Sequence, residues 1–484
     1  MDEEAAEVEA MRAPQRRTYV GVGVPPAGGC SSDGGEEQGT LDDLDLISRL
    51  PDELLGTVVS LLPTKDGART QALSRRWRPL WRSSNAPLNL VASRGLSGDE
   101  SRAALVSRIL SDHPGPACRF SLHLVFSPDS LGEVDGWFRS GSLAGLQDLE
   151  VTNLQKRNHY RLPPHSLTRF APKLRVLSLG GCRFPDLATP PSFPHLKQLI
   201  LYDVGISEQS LQSMISGCAV LQSVSLHNMA FGRLCISSPT LRSIGFYAPR
   251  VKGVVAFQEL VIDDAPCLER LLPIYPDSSP ATIRVIRAPK LEILGFLSER
   301  ISTLHLGTTV FQKMIAVSLT TKIHSMKILV LDSIGPNLGL VIDFLKCFPC
   351  LEKLYVILNR HKDVNYVWKH GPLDPVGCLE LHLKKVVLKN YTGDRRSFTN
   401  LAKFFILNAR VLKEMKIGVF HIGNDEWVSY QQRQLQVENR ASQDARIELK
   451  DDMDLKFTEH VHTHNLSIAD PFDRSLCGCS KCVR

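Results

Sequence analysis

Cys347 and Cys350 form a lone C-x-x-C pair, a spacing that supports thiol–disulfide exchange in redox proteins. That chemistry requires a thioredoxin-like context around the two thiols. Here the pair directly precedes the segment LEKLYV, one of a series of similar segments along the chain. We therefore interpret both cysteines as lining a turn between structural repeats.

A second group of candidate ligands lies at the C-terminus, where alternating histidines precede three cysteines: His460, His462, His464, Cys477, Cys479 and Cys482. Imidazoles and thiolates of this kind are ligands for zinc. The cysteines follow a C-x-C-x-x-C spacing, which lacks the paired C-x-x-C of common zinc modules. No metal and no cofactor are therefore predicted.

Motifs of the common catalytic classes do not occur in the sequence, which has no G-x-S-x-G, no H-E-x-x-H and no Walker lysine. Gly21 and Gly23 do not form a nucleotide loop, because no strand precedes them and no helix-opening glycine follows. Histidines such as His305 have no identifiable carboxylate partner. The chain is predicted to be non-catalytic, and a hydrolase hidden in irregular repeats is the weakest alternative.

The composition fits a folded protein of a reducing compartment. Of the 484 residues, 43% are hydrophobic and 22% charged, which is ordinary for globular chains. No apolar run of about 18 residues and no apolar signal region occur, so we expect neither a membrane partner nor secretion. The predicted location is the cytoplasm or the nucleus, with the 12 cysteines present as thiols.

Charge is unevenly distributed. Residues 1–45 hold three basic and eleven acidic residues, a net of −8, and the whole chain is +6, which leaves +14 for residues 46–484. A basic balance is one sign of a nucleic-acid partner. The basic residues are dispersed, however, which favours a solvated surface, and nucleic-acid binding remains only an alternative.

Three short helices are predicted after residues 1–44, whose Gly, Pro, Ser and acidic composition indicates disorder. Pro51, Asp52 and Glu53 suit the first turn of a helix, and the next residues form an apolar stripe at helical spacing: Leu54, Leu55, Val58, Val59 and Leu62. A third helix near Ser74 places Trp77, Leu80 and Trp81 on one face. So much apolar surface indicates either a partner site or packing onto the next domain.

The segments LPDELL and LPTKDGARTQALSRRWRPLW resemble the plant F-box over about 40 residues. The resemblance implies binding to a Skp-type adaptor and, through it, to cullin and RING subunits. It also implies that the following residues lie at or under the adaptor interface: Leu50, Pro51, Leu54, Leu55, Val58, Leu73, Ser74, Trp77 and Trp81. Gly67 departs from the alanine that the family more often has, which predicts a softer second helix.

A short motif, L-x-x-L-x-L, recurs between about residue 120 and residue 420. Its occurrences begin at residues 146, 174, 196, 221, 241, 257, 291, 301, 326 and 351. The starts at 174, 196, 221 and 241 are 22, 25 and 20 residues apart, within the period of leucine-rich repeats. Each motif predicts a strand that buries its leucines only when neighbouring repeats stack.

These patterns predict an α/β fold, with a three-helix F-box followed by a leucine-rich-repeat solenoid. An ordinary α/β domain is the alternative, but the segments between strands are short and rich in proline. Cys182 is predicted to be structural, at a repeat turn. The residues between the leucines should face outwards on a concave surface, which gives these candidate target-binding residues: Tyr202, His227, Tyr247, Asp263, His305, Asp332 and Tyr355.

Residues 378–417 read as strand, helix and strand, and resemble the FBD motif that follows the repeats in many plant F-box proteins. Such a segment would cap the open end of a repeat array. The predicted organisation is a tail (1–44), the F-box (45–84), the solenoid (85–365), an FBD-like cap (366–440), and a C-terminal strand with a Cys/His tail (441–484).

Together, the resemblances imply a substrate-recognition subunit of an SCF-type ubiquitin ligase, which holds an unknown protein target on its repeats. The alternative is a scaffold that binds the adaptor, or another protein, without ligase function.

Overall fold

The computed structural model describes residues 47, 49–62, 64–82, 88–92, 99–112, 116–124, 131–154, 160–185, 191–248, 250–251, 254–255, 257–276, 279–334, 337–359, 376–420, 422–458, 460–473 and 475. The predicted disordered segment 1–44 and the cysteines at 477, 479 and 482 lie outside these residues. Residues Pro51–Arg484 cluster as one compact unit.

The chain opens with three short helices: α1 (Asp52–Leu61), α2 (Thr64–Arg69), followed by a 3-10 turn (Thr70–Ala72), and α3 (Trp77–Arg82). Leu55 and Val59 of α1 and Trp77 and Leu80 of α3 are buried. An ion pair between Arg76 and Asp52 (2.7 Å) joins the start of α1 to the turn before α3. The three predicted helices are thus present, and Pro51 is the N-cap of α1.

A 14-stranded sheet forms the main body. Its strands lie in the order β1 (Leu88–Ala92), β2 (Ala117–Leu124), β3 (Asp148–Asn153), β5 (Val176–Gly180), β7 (Gln198–Tyr202), β8 (Ser223–His227), β10 (Ser243–Tyr247), β14 (Arg270–Pro273), β16 (Ile293–Ser298), β20 (Ile328–Ile334), β21 (Lys353–Leu358), β22 (Lys385–Tyr391), β23 (Glu414–Val419) and β24 (Arg446–Asp451). All neighbours are parallel. Parallel strands in chain order are what stacked repeats produce, so the predicted solenoid is confirmed.

A second sheet covers the middle of the solenoid. Its order is β19 (Ile315–Ser318), β18 (Thr309–Gln312), β17 (Thr303–Leu306), β15 (Thr282–Arg287), β13 (Glu259–Asp264) and β9 (Arg233–Ser237). The strands from β9 to β17 are parallel, and β18 and β19 fold back antiparallel. The motifs that begin at Phe257 and Ile301 belong to this sheet. In this part of the chain, successive strands alternate between the two sheets, which makes the spacing of the motifs irregular.

Elsewhere helices back the large sheet: α4 (Asp99–Asp112), α5 (Leu131–Arg139), α6 (Pro164–Phe170), α7 (Glu208–Gly217), α8 (Leu338–Cys347), α9 (Gly377–Leu381), α10 (Arg396–Asn408) and α11 (Asp425–Leu435). Two short strand pairs are also present, β4 (Tyr160–Arg161) with β6 (Cys182–Arg183) and β11 (Arg250–Val251) with β12 (Val254–Val255). The FBD resemblance corresponds to β22, α10 and β23, which continue the large sheet as far as β24.

One continuous apolar core runs under the large sheet, from Leu90 to Ala445. In β3 the alternation of partly exposed and buried residues puts Leu149 and Val151 into this core and Glu150 on the opposite face, as the period of two requires. Cys182 is fully buried in β6, and burial raises the pKa of its thiol to about 12.

Candidate functional site: the F-box helices and the concave face

The predicted adaptor residues divide into an exposed set and a packed set. Leu54, Val58 and Leu73 expose 52%, 42% and 66% of their surface. Pro51 and Ser74 are also exposed, whereas Leu50 and Trp81 are half-buried and Leu55 and Trp77 are packed inside. Burying a large apolar side chain stabilises a protein by roughly 1.5–3 kcal/mol, so an exposed apolar row favours a partner.

The two faces of α1 explain this division. Leu55 and Val59 point into the helical cluster, while Leu54, Val58 and Leu61 lie on a neighbouring, exposed side at spacings of four and three. Leu61, 74% exposed, is an exposed apolar residue that the sequence interpretation missed. Its position seven residues after Leu54 was the available signal.

Gly67 of α2 has a packing role that the sequence interpretation also missed. A Cβ atom at this position would lie 2.5 Å from Cζ3 of Trp81. The glycine therefore admits the indole ring of α3 against the backbone of α2, which the predicted softening of the helix did not anticipate.

The face of the 14-stranded sheet that points away from the main core is called the concave face here. Its C-terminal half is covered by residues 452–458 and 460–473, which we call the strap. The strap is tied first to β22, where Lys389 Nζ donates to the carbonyl oxygens of Asp452 and Leu455, both at 3.1 Å. It then crosses the sheet as far as β8, where His464 Nδ1 lies 2.7 Å from Ser223 Oγ.

Arg270 of β14 holds the turn of the strap. Its guanidinium donates to four backbone carbonyl oxygens, those of His462 (3.4 Å), Asn465 (3.1 Å), Leu466 (3.3 Å) and Ile468 (2.7 Å). Arg270 is only 3% exposed, and this burial lowers its pKa.

The return of the strap is fixed by Asp470 and by aromatic packing. Asp470 Oδ2 accepts hydrogen bonds from Lys353 Nζ and Tyr355 Oη, both at 2.8 Å. Burial, followed by the charge of Asp470, raises the pKa of Tyr355 well above its ordinary value. Phe472 contacts Phe296 edge-on, with ring centroids 5.5 Å apart, inside a second apolar cluster between strap and sheet.

Two predictions of exposure on the concave face are wrong. Tyr355 is 3% exposed because the strap lies on it, and Asp332 is fully buried, with Ser333 Oγ donating to its Oδ1 at 3.0 Å. The expectation that these two side chains are open to a target is therefore wrong. The histidines at 460, 462 and 464 lie in the strap and not on a strand.

Asp263 and His305 occupy a different surface from the other candidates. They lie on β13 and β17 of the six-stranded sheet, because each solenoid turn here contains two strands. Burial, with the charge of Arg284, lowers the pKa of His305. The seven candidates therefore do not form one face, and Tyr202, His227 and Tyr247 are the members that stay together on the large sheet.

Two sets of side chains on the uncovered half of the concave face are candidates for contact with a target. At β2 and β3, Ser121 Oγ donates to Glu150 Oε2 at 2.8 Å, and His123 Nε2 lies 3.3 Å from Glu150 Oε1. The hydrogen bond with His123 holds the pKa of Glu150 below its ordinary value. At the carboxyl ends of β7, β8 and β10 lie Tyr202, His227 and Tyr247, which are neighbours by strand register.

The first cysteine of the C-x-x-C pair, Cys347, lacks the lowered pKa of a reactive thiol. Cys347 is buried at the end of α8, which raises the pKa of its thiol to about 12. Cys350 Sγ lies 3.8 Å from His324 Nδ1. Reactive cysteines instead have lowered pKa values, because the thiolate is the nucleophile.

The eight cysteines within the described ranges are all thiols. Among the described residues, no cluster of His, Cys, Asp or Glu has an arrangement suited to a metal ion. In the same part of the chain, no helix combines the length and apolar character needed to span a membrane.

Comparison with known families agrees with this architecture. The F-box domain matches residues 47–88, the LRR repeats of FBD-associated F-box protein At5g56370 match residues 134–356, and FBD matches residues 371–417. The chain is similar to three Arabidopsis thaliana proteins. F-box/LRR-repeat protein At3g03360 is 29% identical over 38% of this chain and 38% of its own length.

The other two relatives align over most of their length. F-box/FBD/LRR-repeat protein At3g26920 is 24% identical over 80% of this chain and 93% of its own length. F-box/FBD/LRR-repeat protein At2g04230 is 25% identical over 80% of this chain and 92% of its own length. The chain thus carries an F-box domain, LRR repeats and an FBD, in this order, and is similar over most of its length to Arabidopsis thaliana F-box/FBD/LRR-repeat proteins.

Proposed function

We propose that the chain is the substrate-recognition subunit of an SCF-type ubiquitin ligase, which binds a Skp-type adaptor through the F-box and a protein target through the repeats. The observation that carries the proposal is the exposed apolar row of α1, which consists of Leu54, Val58 and Leu61 beside the packed residues Leu55 and Val59. Exposed apolar surface of this kind marks a protein interface.

The proposed mechanism is proximity. The adaptor links the chain to cullin and RING subunits, and the solenoid holds the target beside the ubiquitin-carrying enzyme. Tethering raises the effective concentration of target lysines at the reacting centre. The chain itself contributes binding and no catalytic group, and it works in the cytoplasm or the nucleus.

The first experiment is binding of the full chain to a purified Skp-type adaptor. Leu54→Asp and Leu73→Asp each place a charge on an exposed apolar side chain, and each should weaken binding at least about tenfold, since central interface contacts contribute roughly 1–2 kcal/mol or more. Ser60→Asp is the control, because it adds the same charge to α1 away from the apolar row. Trp77→Ala is a poorer probe, because Trp77 is 6% exposed and its loss would unfold the helices.

Failure of the folded wild-type chain to bind the adaptor, or an equal loss with Ser60→Asp, would remove the basis of the proposal. A complex reconstituted with adaptor, cullin and RING subunits is then expected to transfer ubiquitin to this chain or to a bound protein. Adaptor binding without any transfer would favour the alternative, a scaffold that delivers no target.

A further inference from the structure

Four aromatic rings form a patch at the carboxyl ends of adjacent strands of the large sheet: Tyr202, His227, Tyr247 and Tyr275. Tyr202 and His227 have ring centroids 5.9 Å apart, and Tyr247 and Tyr275 have centroids 5.4 Å apart in an edge-to-face pair. Tyr202 is 51% exposed and Tyr275 42% exposed. Two rings of this aromatic patch, those of Tyr202 and Tyr275, are therefore accessible from solvent.

An acidic side chain borders the patch. Asp203 follows Tyr202 directly, and its backbone N–H donates to the carbonyl oxygen of His227 at 2.8 Å. Burial, followed by the charge of Asp203 and the nearness of Tyr275, raises the pKa of Tyr202. Burial and the other two tyrosines likewise raise the pKa of Tyr247. Additional negative charge is therefore disfavoured at Tyr202 and at Tyr247.

Ring faces carry negative quadrupole charge, and cations bind within about 6 Å of a ring centroid. The carboxylate of Asp203, next in the chain to Tyr202, adds negative charge beside that ring, so the patch is complementary to a cation. A planar guanidinium can stack on one ring while it hydrogen-bonds to a neighbouring oxygen.

We propose that the aromatic patch binds the cationic side chain of an arginine or lysine in the protein target. The inference rests on the proposed receptor function for the statement that this cation belongs to a target. It extends that function by predicting that a cationic residue of the target binds at the aromatic patch of the solenoid.

The strap explains why this part of the concave face is the one available. His464 contacts Ser223 and the Thr463 side chain packs where a Cβ of Gly245 would be. These contacts lie on β8 and β10, four and two residues before His227 and Tyr247. From β10 towards β22 the strap covers the concave face. A target segment can therefore contact the aromatic patch and the strands that precede it in the sheet.

The test uses the full chain and two small probes, arginine amide and citrulline amide, which have nearly the same shape but differ in charge. Binding is followed by the tyrosine ring signals in NMR spectra of tyrosine-labelled protein. Arginine amide should shift the signals of Tyr202, Tyr247 and Tyr275 in the millimolar range, and added salt should weaken the effect. Citrulline amide should leave them in place.

Three variants separate the contributions. Tyr202→Leu removes a ring and should weaken arginine amide binding by between about twofold and thirtyfold, whereas Tyr202→Phe keeps the ring and most of the binding. Asp203→Asn removes the charge and suits the backbone, because Asp203 has a φ of 52° and asparagine tolerates this region. It should weaken binding several-fold.

Equal binding of citrulline amide, or equal binding by wild type and Tyr202→Leu, would overturn the inference. Binding of a pyrimidine nucleotide in preference to arginine amide, improved by Asp203→Asn, would also overturn it and would indicate a nucleic-acid surface. Adaptor binding is measured on the same proteins. Its absence from the wild type would count against the ligase function alone, because cation binding does not involve the F-box.

Discussion

Arg270 and Ile468 are 198 residues apart in the chain, and the guanidinium Nη2 donates to the Ile468 carbonyl oxygen at 2.7 Å. This contact joins a central strand of the solenoid to the C-terminal strap. Three further carbonyl groups share the same guanidinium. The buried guanidinium holds the strap on the sheet, because its removal would leave several buried carbonyl groups without hydrogen-bond partners.

Arg270→Met should release the strap. Unpaired buried carbonyl groups cost roughly 1–3 kcal/mol each, so the free energy of unfolding should fall by at least about 2 kcal/mol. Amide hydrogen exchange over the strap should accelerate. Arg242→Met is the matched control, since Arg242 forms a half-exposed pair with Glu269 at 2.9 Å, and such pairs contribute about 1 kcal/mol or less. Equal protection of the strap amides from hydrogen exchange in Arg270→Met and Arg242→Met would show that Arg270 does not hold the strap in place.

Gly67→Ala should fail to stabilise the F-box helices, although alanine is favoured over glycine in a helix by roughly 1 kcal/mol. The added Cβ would lie 2.5 Å from the Trp81 ring, so the indole must move from its packed position. Limited proteolysis across the F-box segment measures the effect.

The comparison for Gly67→Ala is the same substitution in a Trp81→Leu background, where the smaller side chain leaves room for the methyl group. There the alanine should be neutral or protective. If Gly67→Ala protected the helices equally in both backgrounds, the ring would not be the reason for glycine at this position.

Stability should fall as the pH rises above 9, partly because of Cys182. Burial raises the pKa of this thiol from 9.0 to about 12, so between these values the unfolded chain loses a proton that the folded chain retains. The contribution is complete below pH 9 and is lost as the pH rises towards 12, with a slope of up to about 1.4 kcal/mol per pH unit. Denaturant unfolding at several pH values measures it.

Cys182→Ala removes this titration and should make the alkaline decline shallower. Between pH 6 and 8 the two proteins should differ by a constant amount, which reports only the change in packing. Parallel curves from pH 7 to 11 would mean that Cys182 does not titrate differently on folding.

The F-box helices and most repeat strands follow from local pattern, and the sequence was sufficient to predict them. Leu54, Leu55, Val58 and Val59 are spaced as a helix requires, and L-x-x-L-x-L buries alternate side chains of a strand. Such periodicity is contained in a few neighbouring residues. The family resemblances followed from the same short segments.

The sequence by itself thus determined the order of F-box, repeats and FBD, because each is encoded within a short stretch of chain. Only the tertiary structure decided that the motifs at Phe257 and Ile301 belong to a second sheet, and that Tyr355 lies under the strap. A strand motif has the same apolar alternation in either sheet. The partner of Tyr355 is Asp470, 115 residues away, and no local pattern specifies a contact over that separation.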